Sequence, residues 1–214
     1  TEAGYYSVKL ERYNILAEAT ANVHSGILRF TYPQNKNAKI IMNFSRRIGG
    51  KADFEEIKIV NENTVEGKII CTPKGGGFGH GHAGISYDLY FTCEFSETPA
   101  KMQFFSNEEM QSEHIKEFCH EDVGLLLEFG ENLTDSLKIK CGISYTSLAG
   151  ARMNLKAEIP DFDFDAQRKN AQFLWEQAFS IADVEGSNET DLKLFYTCLY
   201  HTLLDPRVSA DIDG

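Results

Sequence analysis

The chain has 214 residues, 42% hydrophobic and 25% charged, enough for one sizeable core or one core with a small appendage. Asp and Glu outnumber Lys and Arg by 32 to 21, and a net charge of −11 without a basic stripe excludes nucleic acid as an expected partner while leaving neutral ligands such as sugars open. No apolar run approaches the roughly 20 residues a membrane-spanning helix needs.

Period-two alternation dominates the first two-thirds. Tyr6, Val8 and Leu10 face one way, with Ser7 and Lys9 opposite. Arg29, in Leu28-Arg-Phe-Thr-Tyr-Pro33, is expected to be a buried cation paired with Asp or Glu, and His24 on the preceding turn to lie at the surface. Alternation continues through Val65, Gly67, Ile69 and Cys71, and through Leu89, Phe91, Cys93 and Phe95. It returns in Val123 to Phe129 and in Leu137 to Ile143. Pro33-Gln-Asn-Lys-Asn, Gly49-Gly50, Asn61-Glu-Asn and Gly130-Glu-Asn punctuate these runs as turns. Strands with one apolar face belong to stacked antiparallel sheets, so the prediction is a mainly β, two-sheet antiparallel β-sandwich. Ser106 to Asp122 breaks the pattern and reads as a long connection.

After Pro160 the period changes. Ala171, Trp175, Ala178, Phe179 and Ala182 share one helical face, with Asp161, Asp163 and Asp165 at its start as capping carboxylates. Asn188 caps a second predicted helix whose stripe is Leu192, Phe195, Tyr196, Leu199, Tyr200 and Leu203, and Pro206 stops it. That stripe is wide enough to call for covering helices that the chain does not contain, which predicts a piece of a longer protein. The division expected is a sandwich over 1–158 and linker helices over 159–214.

The five cysteines form no Cys-x-x-Cys pair, and Cys71, Cys93 and Cys141 fall among apolar strand positions. Core filling by free thiols is favoured over a disulfide. The Gly75-Gly-Gly-Phe-Gly-His-Gly-His-Ala-Gly84 stretch runs into a strand rather than a helix, which excludes a phosphate cradle. His80 and His82 within it could hold a metal on one side of an extended segment, but they lack further ligands nearby, so a hairpin tip on a cleft rim is preferred. No Gly-x-Ser-x-Gly elbow is present. Arg152 reads as a second paired structural cation. Asp211 and Asp213, in a loop relieved by Gly214, could bind sugar hydroxyls or a cation, or simply be solvated.

The segment Ser147 to Pro160, then Phe162-Asp-Phe-Asp165, Trp175, Phe195-Tyr-Thr-Cys-Leu-Tyr-His-Thr-Leu-Leu204, Pro206 and Asp211-Ile-Asp-Gly214 resemble glycoside hydrolase family 92. Gly4-Tyr-Tyr-Ser-Val-Lys-Leu10, Ala17-Glu-Ala-Thr-Ala21, Arg29-Phe-Thr-Tyr-Pro33 and Tyr87-Asp-Leu-Tyr-Phe91 follow in the family's order. The resemblance implies a supersandwich-type domain, two linker helices and an (α/α) barrel, with the active site where sandwich and barrel meet. It implies a calcium-dependent exo-α-mannosidase, of the α-1,2 type, that inverts configuration on mannose-containing glycans. Its acid, base and calcium would come from the barrel, so no catalytic residue and no metal is expected in this chain, which by itself should be inactive. The chain would pack against the barrel and line part of the cleft, with Asp211 and Asp213 as substrate contacts and His80 and His82 as rim contacts. Ser209-Ala210 stands where the family more often has Phe-Ser. The family's habit implies secretion or a periplasmic location. The competing readings are a freestanding carbohydrate-binding sandwich without catalysis and, last, a metal site at His80 and His82.

Overall fold

The computed structural model describes residues 2–33, 38–47, 50–75, 86–130, 136–186, 188–204 and 208–214. His80 and His82 lie outside them. The strands are β1 Tyr5–Leu10, β2 Ile15–Ala21, β3 Ser25–Thr31, β4 Lys39–Asn43, β5 Arg46–Arg47, β6 Gly50–Lys51, β7 Phe54–Asn61, β8 Thr64–Cys71, β9 Tyr87–Phe95, β10 Lys101–Ser106, β11 Glu109–Met110, β12 Glu117–His120, β13 Val123–Glu128 and β14 Leu137–Ser144. Three helices follow: α1 Leu148–Glu158, α2 Phe164–Phe179 and α3 Glu189–Leu203. The expected long connection between Ser106 and Asp122 therefore carries two short strands, β11 and β12.

Among the described residues, the larger sheet runs β1-β2-β3-β14-β9-β8-β7-β12 and the smaller β11-β10-β13-β4, every pair antiparallel. This is the predicted sandwich. The alternation explains the core, because inward positions such as Val65, Phe91, Phe104, Leu125, Leu127 and Leu137 are buried between the sheets. Asn61 helps to turn the β7–β8 hairpin, accepting from the Asn63 N–H at 2.8 Å.

The sheets differ in width, and this corrects the reading of β1. The core between them takes Phe30 at its margin and nothing from β1 or β2, so Tyr6 is 52% exposed and Leu10 39%. On β1 it is Tyr5, on the opposite face, that packs against Phe164 of α2. A second apolar cluster lies there, where Ile27 of β3 meets Leu155, Ile159 and Phe164 beneath α1 and α2.

Helix α1 was not anticipated. Ser147 caps it by accepting from the Gly150 N–H at 2.9 Å, and it lies over the outer face of β14 and β9. The approach is close: a Cβ on Gly142 would stand 2.6 Å from both the Ala151 carbonyl oxygen and Leu155 Cβ. Polar residues that alternation assigns to solvent are therefore covered, among them Glu66 and Lys140. Lys140 Nζ donates to the carbonyls of Ile159 and Pro160 at 3.1 Å each and pairs with Glu94 at 3.2 Å.

The predicted caps are found. Asp163 accepts from the Ala166 N–H at 2.9 Å, and Asn188 from the Thr190 N–H at 3.0 Å. Arg29 is paired as predicted: Nε and Nη2 reach Glu18 at 2.7 and 2.8 Å, and Nη1 reaches Asp165 at 3.0 Å. Arg152 pairs with buried Glu66, but its own side chain is 55% exposed, so it is a rim cation rather than a buried one. Helix α3 leans on α2 through Trp175–Tyr200 and Phe179–Tyr196 ring contacts, and no α3 residue is buried. No helix among the described residues is long and apolar enough to cross a membrane.

The cysteine expectation is overturned. Cys93 and Cys141 are disulfide-bonded, because β14 pairs with β9 in a register that sets them directly opposite, Cα to Cα 4.2 Å. Cys71, Cys119 and Cys198 are free, and Cys71 is buried as predicted.

Candidate functional site

The loop at 208–214 carries both predicted acidic contacts, and the structure gives them different surroundings. Asp211 turns inward to the junction of β14 and α1. Its Oδ2 accepts from Ser144 Oγ at 2.9 Å and from Thr146 Oγ1, and its Oδ1 accepts from Asn154 Nδ2 at 2.8 Å. Gly150 leaves room for it, since a Cβ there would collide with the carboxylate. Desolvation pushes the Asp211 carboxyl up. The hydrogen bonds from Thr146, Ser144 and Asn154, with the charge of the His24 ring, outweigh that and hold it below the usual carboxylate range.

The loop then closes on itself. The Gly214 N–H donates to the Asp211 carbonyl at 3.0 Å, with Gly214 at φ +96°, a conformation glycine adopts without a Cβ penalty. Asp213 falls on the outside of that turn. It is exposed and, among the described residues, has no hydrogen-bond or ion-pair partner. The two carboxylates thus separate into an internal anchor and a free acceptor. Sequence placed them together as equivalent contacts, and nothing in it distinguished them.

A third participant was read wrongly. His24, expected at the surface, has a side chain only 11% exposed. Its Nδ1 lies 2.7 Å from Glu158 Oε1 and its Nε2 2.9 Å from the Ala210 carbonyl oxygen. The turn is drawn down because α1 ends beside it, and Glu158, at the last turn of α1, also accepts from the His24 N–H and the Ser25 hydroxyl. The partners are 134 and 186 residues away in sequence, too far for any local signal.

Two open clefts flank the helices. One, about 600 Å³, lies among Glu2, Phe179, Leu192, Tyr196, Tyr200 and His201. The other, about 570 Å³, runs along the uncovered inner face of β1 to β3 to Trp175 and Tyr200. Neither is lined by Asp211 or Asp213. Among the described residues, no three His, Cys, Asp or Glu side chains converge as metal ligands.

Residues 1–144 match the model of the glycosyl hydrolase family 92 N-terminal domain, and residues 150–214 match that family's catalytic-domain model. No curated protein matches significantly. Among solved structures, the chain is similar to the family GH92 alpha-mannosidase BT3965 from Bacteroides thetaiotaomicron, at 27% identity and a TM-score of 0.84, over 99% of this chain and 28% of that one. The inverting mannosidase BT2199 of the same organism shares the fold at 20% identity and a TM-score of 0.79, over 95% and 26%. The glycosyl hydrolase ccman5 shares it at 22% and 0.84, over 99% and 29%. The chain spans less than a third of the length of these structures.

Proposed function

The chain belongs to glycosyl hydrolase family 92, and from that membership we propose that it serves an exo-α-mannosidase hydrolysing terminal α-linked mannose from glycans with inversion. The observation that carries the reading is the joint match: the N-terminal model covers 1–144, the catalytic-domain model begins at 150, and both fall on one continuous fold similar to an alpha-mannosidase over 99% of the chain. A freestanding binding module has no use for a catalytic-domain segment carrying an unburied helix.

Within that reading the chain buttresses the catalytic barrel and supplies part of the cleft wall. An inverting glycosidase needs an acid and a base roughly 6.5–9.5 Å apart, with water between. Asp211 is unsuited to be that acid, since three side-chain donors hold it ionised. We assign acid and base to barrel residues outside this chain, and calcium to the same region. Asp213, free and charged, is the acceptor for mannose hydroxyls, because an ionised carboxylate accepts such bonds strongly. The Cys93–Cys141 bridge supports an exported protein, since disulfides persist in oxidising compartments.

The test is turnover of an aryl α-mannoside, with and without calcium, by this chain and by a polypeptide of the relatives' length. Only the longer protein should release mannose, and proton NMR of the first product should show the β anomer. Enzyme-like turnover by the 214-residue chain, or an α first product, would overturn the reading.

A further inference from the structure

The terminal loop is held at two points, and the second is a histidine. Asp211 anchors it to Ser144, Thr146 and Asn154, while His24 Nε2 meets the carbonyl of Ala210 at 2.9 Å, three residues before Asp213. On its other side His24 Nδ1 lies 2.7 Å from Glu158 Oε1. Both ring nitrogens therefore face acceptors. Only the ring with two N–H groups satisfies both, and a neutral ring must turn a lone pair toward one of them. The charged groups facing the ring are Glu158 from α1 and Asp211 from the loop, and β14 meets this turn through the Ile143 N–H, which donates to the His24 carbonyl at 2.9 Å.

We propose that His24 is a positioning residue for Asp213: backed by Glu158, it fixes the loop through the Ala210 carbonyl. The geometry makes the β2–β3 turn of the sandwich, rather than a neighbouring part of the loop, set where the free carboxylate stands. Its functional meaning rests on the reading of Asp213 as a mannose contact. The pin itself does not.

Amide hydrogen exchange on the 214-residue chain separates the contacts. In His24→Gln the amide nitrogen reaches the place of Nε2 and keeps the bond to Ala210. In His24→Asn it reaches only the place of Nδ1, toward Glu158. Corrected for intrinsic rates, exchange across 210–214 should rise about tenfold in the Asn variant and in His24→Ala, as expected for loss of one hydrogen bond. The Gln variant should stay near wild type. Equal loosening in the Gln and Asn variants, an equal rise across β14 and α1, or no change in His24→Ala would overturn the pin. The mannose reading fails separately, if Asp213→Ala leaves mannosidase activity of the longer protein intact while the exchange pattern stands.

Discussion

Asn154 grips the terminal loop with both ends of its amide: Nδ2 donates to Asp211 Oδ1 at 2.8 Å, and Oδ1 accepts from the Ile212 N–H at 3.0 Å. The side chain is fully buried, and Nδ2 also donates to the Ile143 carbonyl at 2.8 Å, so one residue ties α1 to β14 and to the loop. Asn154→Ala strands these partners in a covered site. Leaving buried polar groups unmatched costs about 1–3 kcal/mol each before relaxation, and about 2–4 kcal/mol in total is expected here. The readout is a lower urea midpoint at unchanged slope. A loss under about 1 kcal/mol would mean that water replaces the amide without penalty.

Asp211 predicts an acid-side loss of stability. Its folded pKa lies below its ordinary value of 3.8, so its contribution is fully present above that value and is lost as pH falls through the lower, folded one. Asp211→Asn cannot ionise and loses acceptor strength toward Ser144 and Thr146. Urea midpoints of the two proteins should differ most near neutral pH and converge in acid. A gap that is constant with pH would mean that the carboxylate is not what these hydroxyls hold.

Removing Arg29 should be costlier than a surface ion pair suggests. Glu18 is buried, accepts from Arg29 twice and from Tyr5 Oη at 2.8 Å, and the guanidinium also lies 4.2 Å from the Phe164 ring centroid. The hydrogen bonds from Arg29 are the largest influence holding the Glu18 carboxyl below its ordinary range, against the burial that raises it. Arg29→Ala strands a buried carboxylate, at about 3–5 kcal/mol. Arg29→Lys should recover only part, since an ammonium cannot make the paired contact or lie flat on Phe164. Denaturation of the three proteins checks the order, and a Lys variant equal to wild type would refute the geometric account.

These residues show how far the sequence was legible. Leu125, Leu127, Phe91 and Leu137 announced an inner face because period two is a local property, and Asp163 and Asn188 announced caps for the same reason. Helix α1 escaped because Gly150, Ala151 and Asn154 are chosen for close approach to β14 rather than for an apolar stripe. Its placement then buried Glu66 and Lys140, which alternation had assigned to water. The pairing of Cys93 with Cys141 depends on β14 inserting between β3 and β9, a fact of topology. In the loop at 208–214, the resemblance had singled out Asp211 and Asp213 as substrate contacts. Their division into anchor and free acceptor depends on Ser144, Thr146 and Asn154, at least 57 residues earlier.

Glu55 breaks the inner face of β7, standing in line with Ile57 and Ile59, and it is 0% exposed. Its Oε2 accepts from the Val123 N–H at 2.9 Å, while Oε1 has no hydrogen-bond partner among the described residues. Burial, first of all, pushes this carboxyl up; the Val123 N–H opposes, and the nearby charge of Asp122 adds to the rise. The sign is the reverse of Asp211. A raised folded pKa means that the native state binds the proton more tightly, so stability is fully present below the ordinary value of 4.5 and is lost as pH climbs through the folded one. Glu55→Gln keeps the shape and an acceptor for Val123 but cannot ionise. The two proteins should be close in stability in acid, and the Gln variant should lead by about 1–3 kcal/mol at neutral pH, the scale of an unmatched buried polar group. Urea midpoints across that range measure the divergence. A lead that does not grow with pH would mean that the carboxyl ionises in place at no cost, and that the pocket at the end of β7 accommodates a charge its visible partners do not explain.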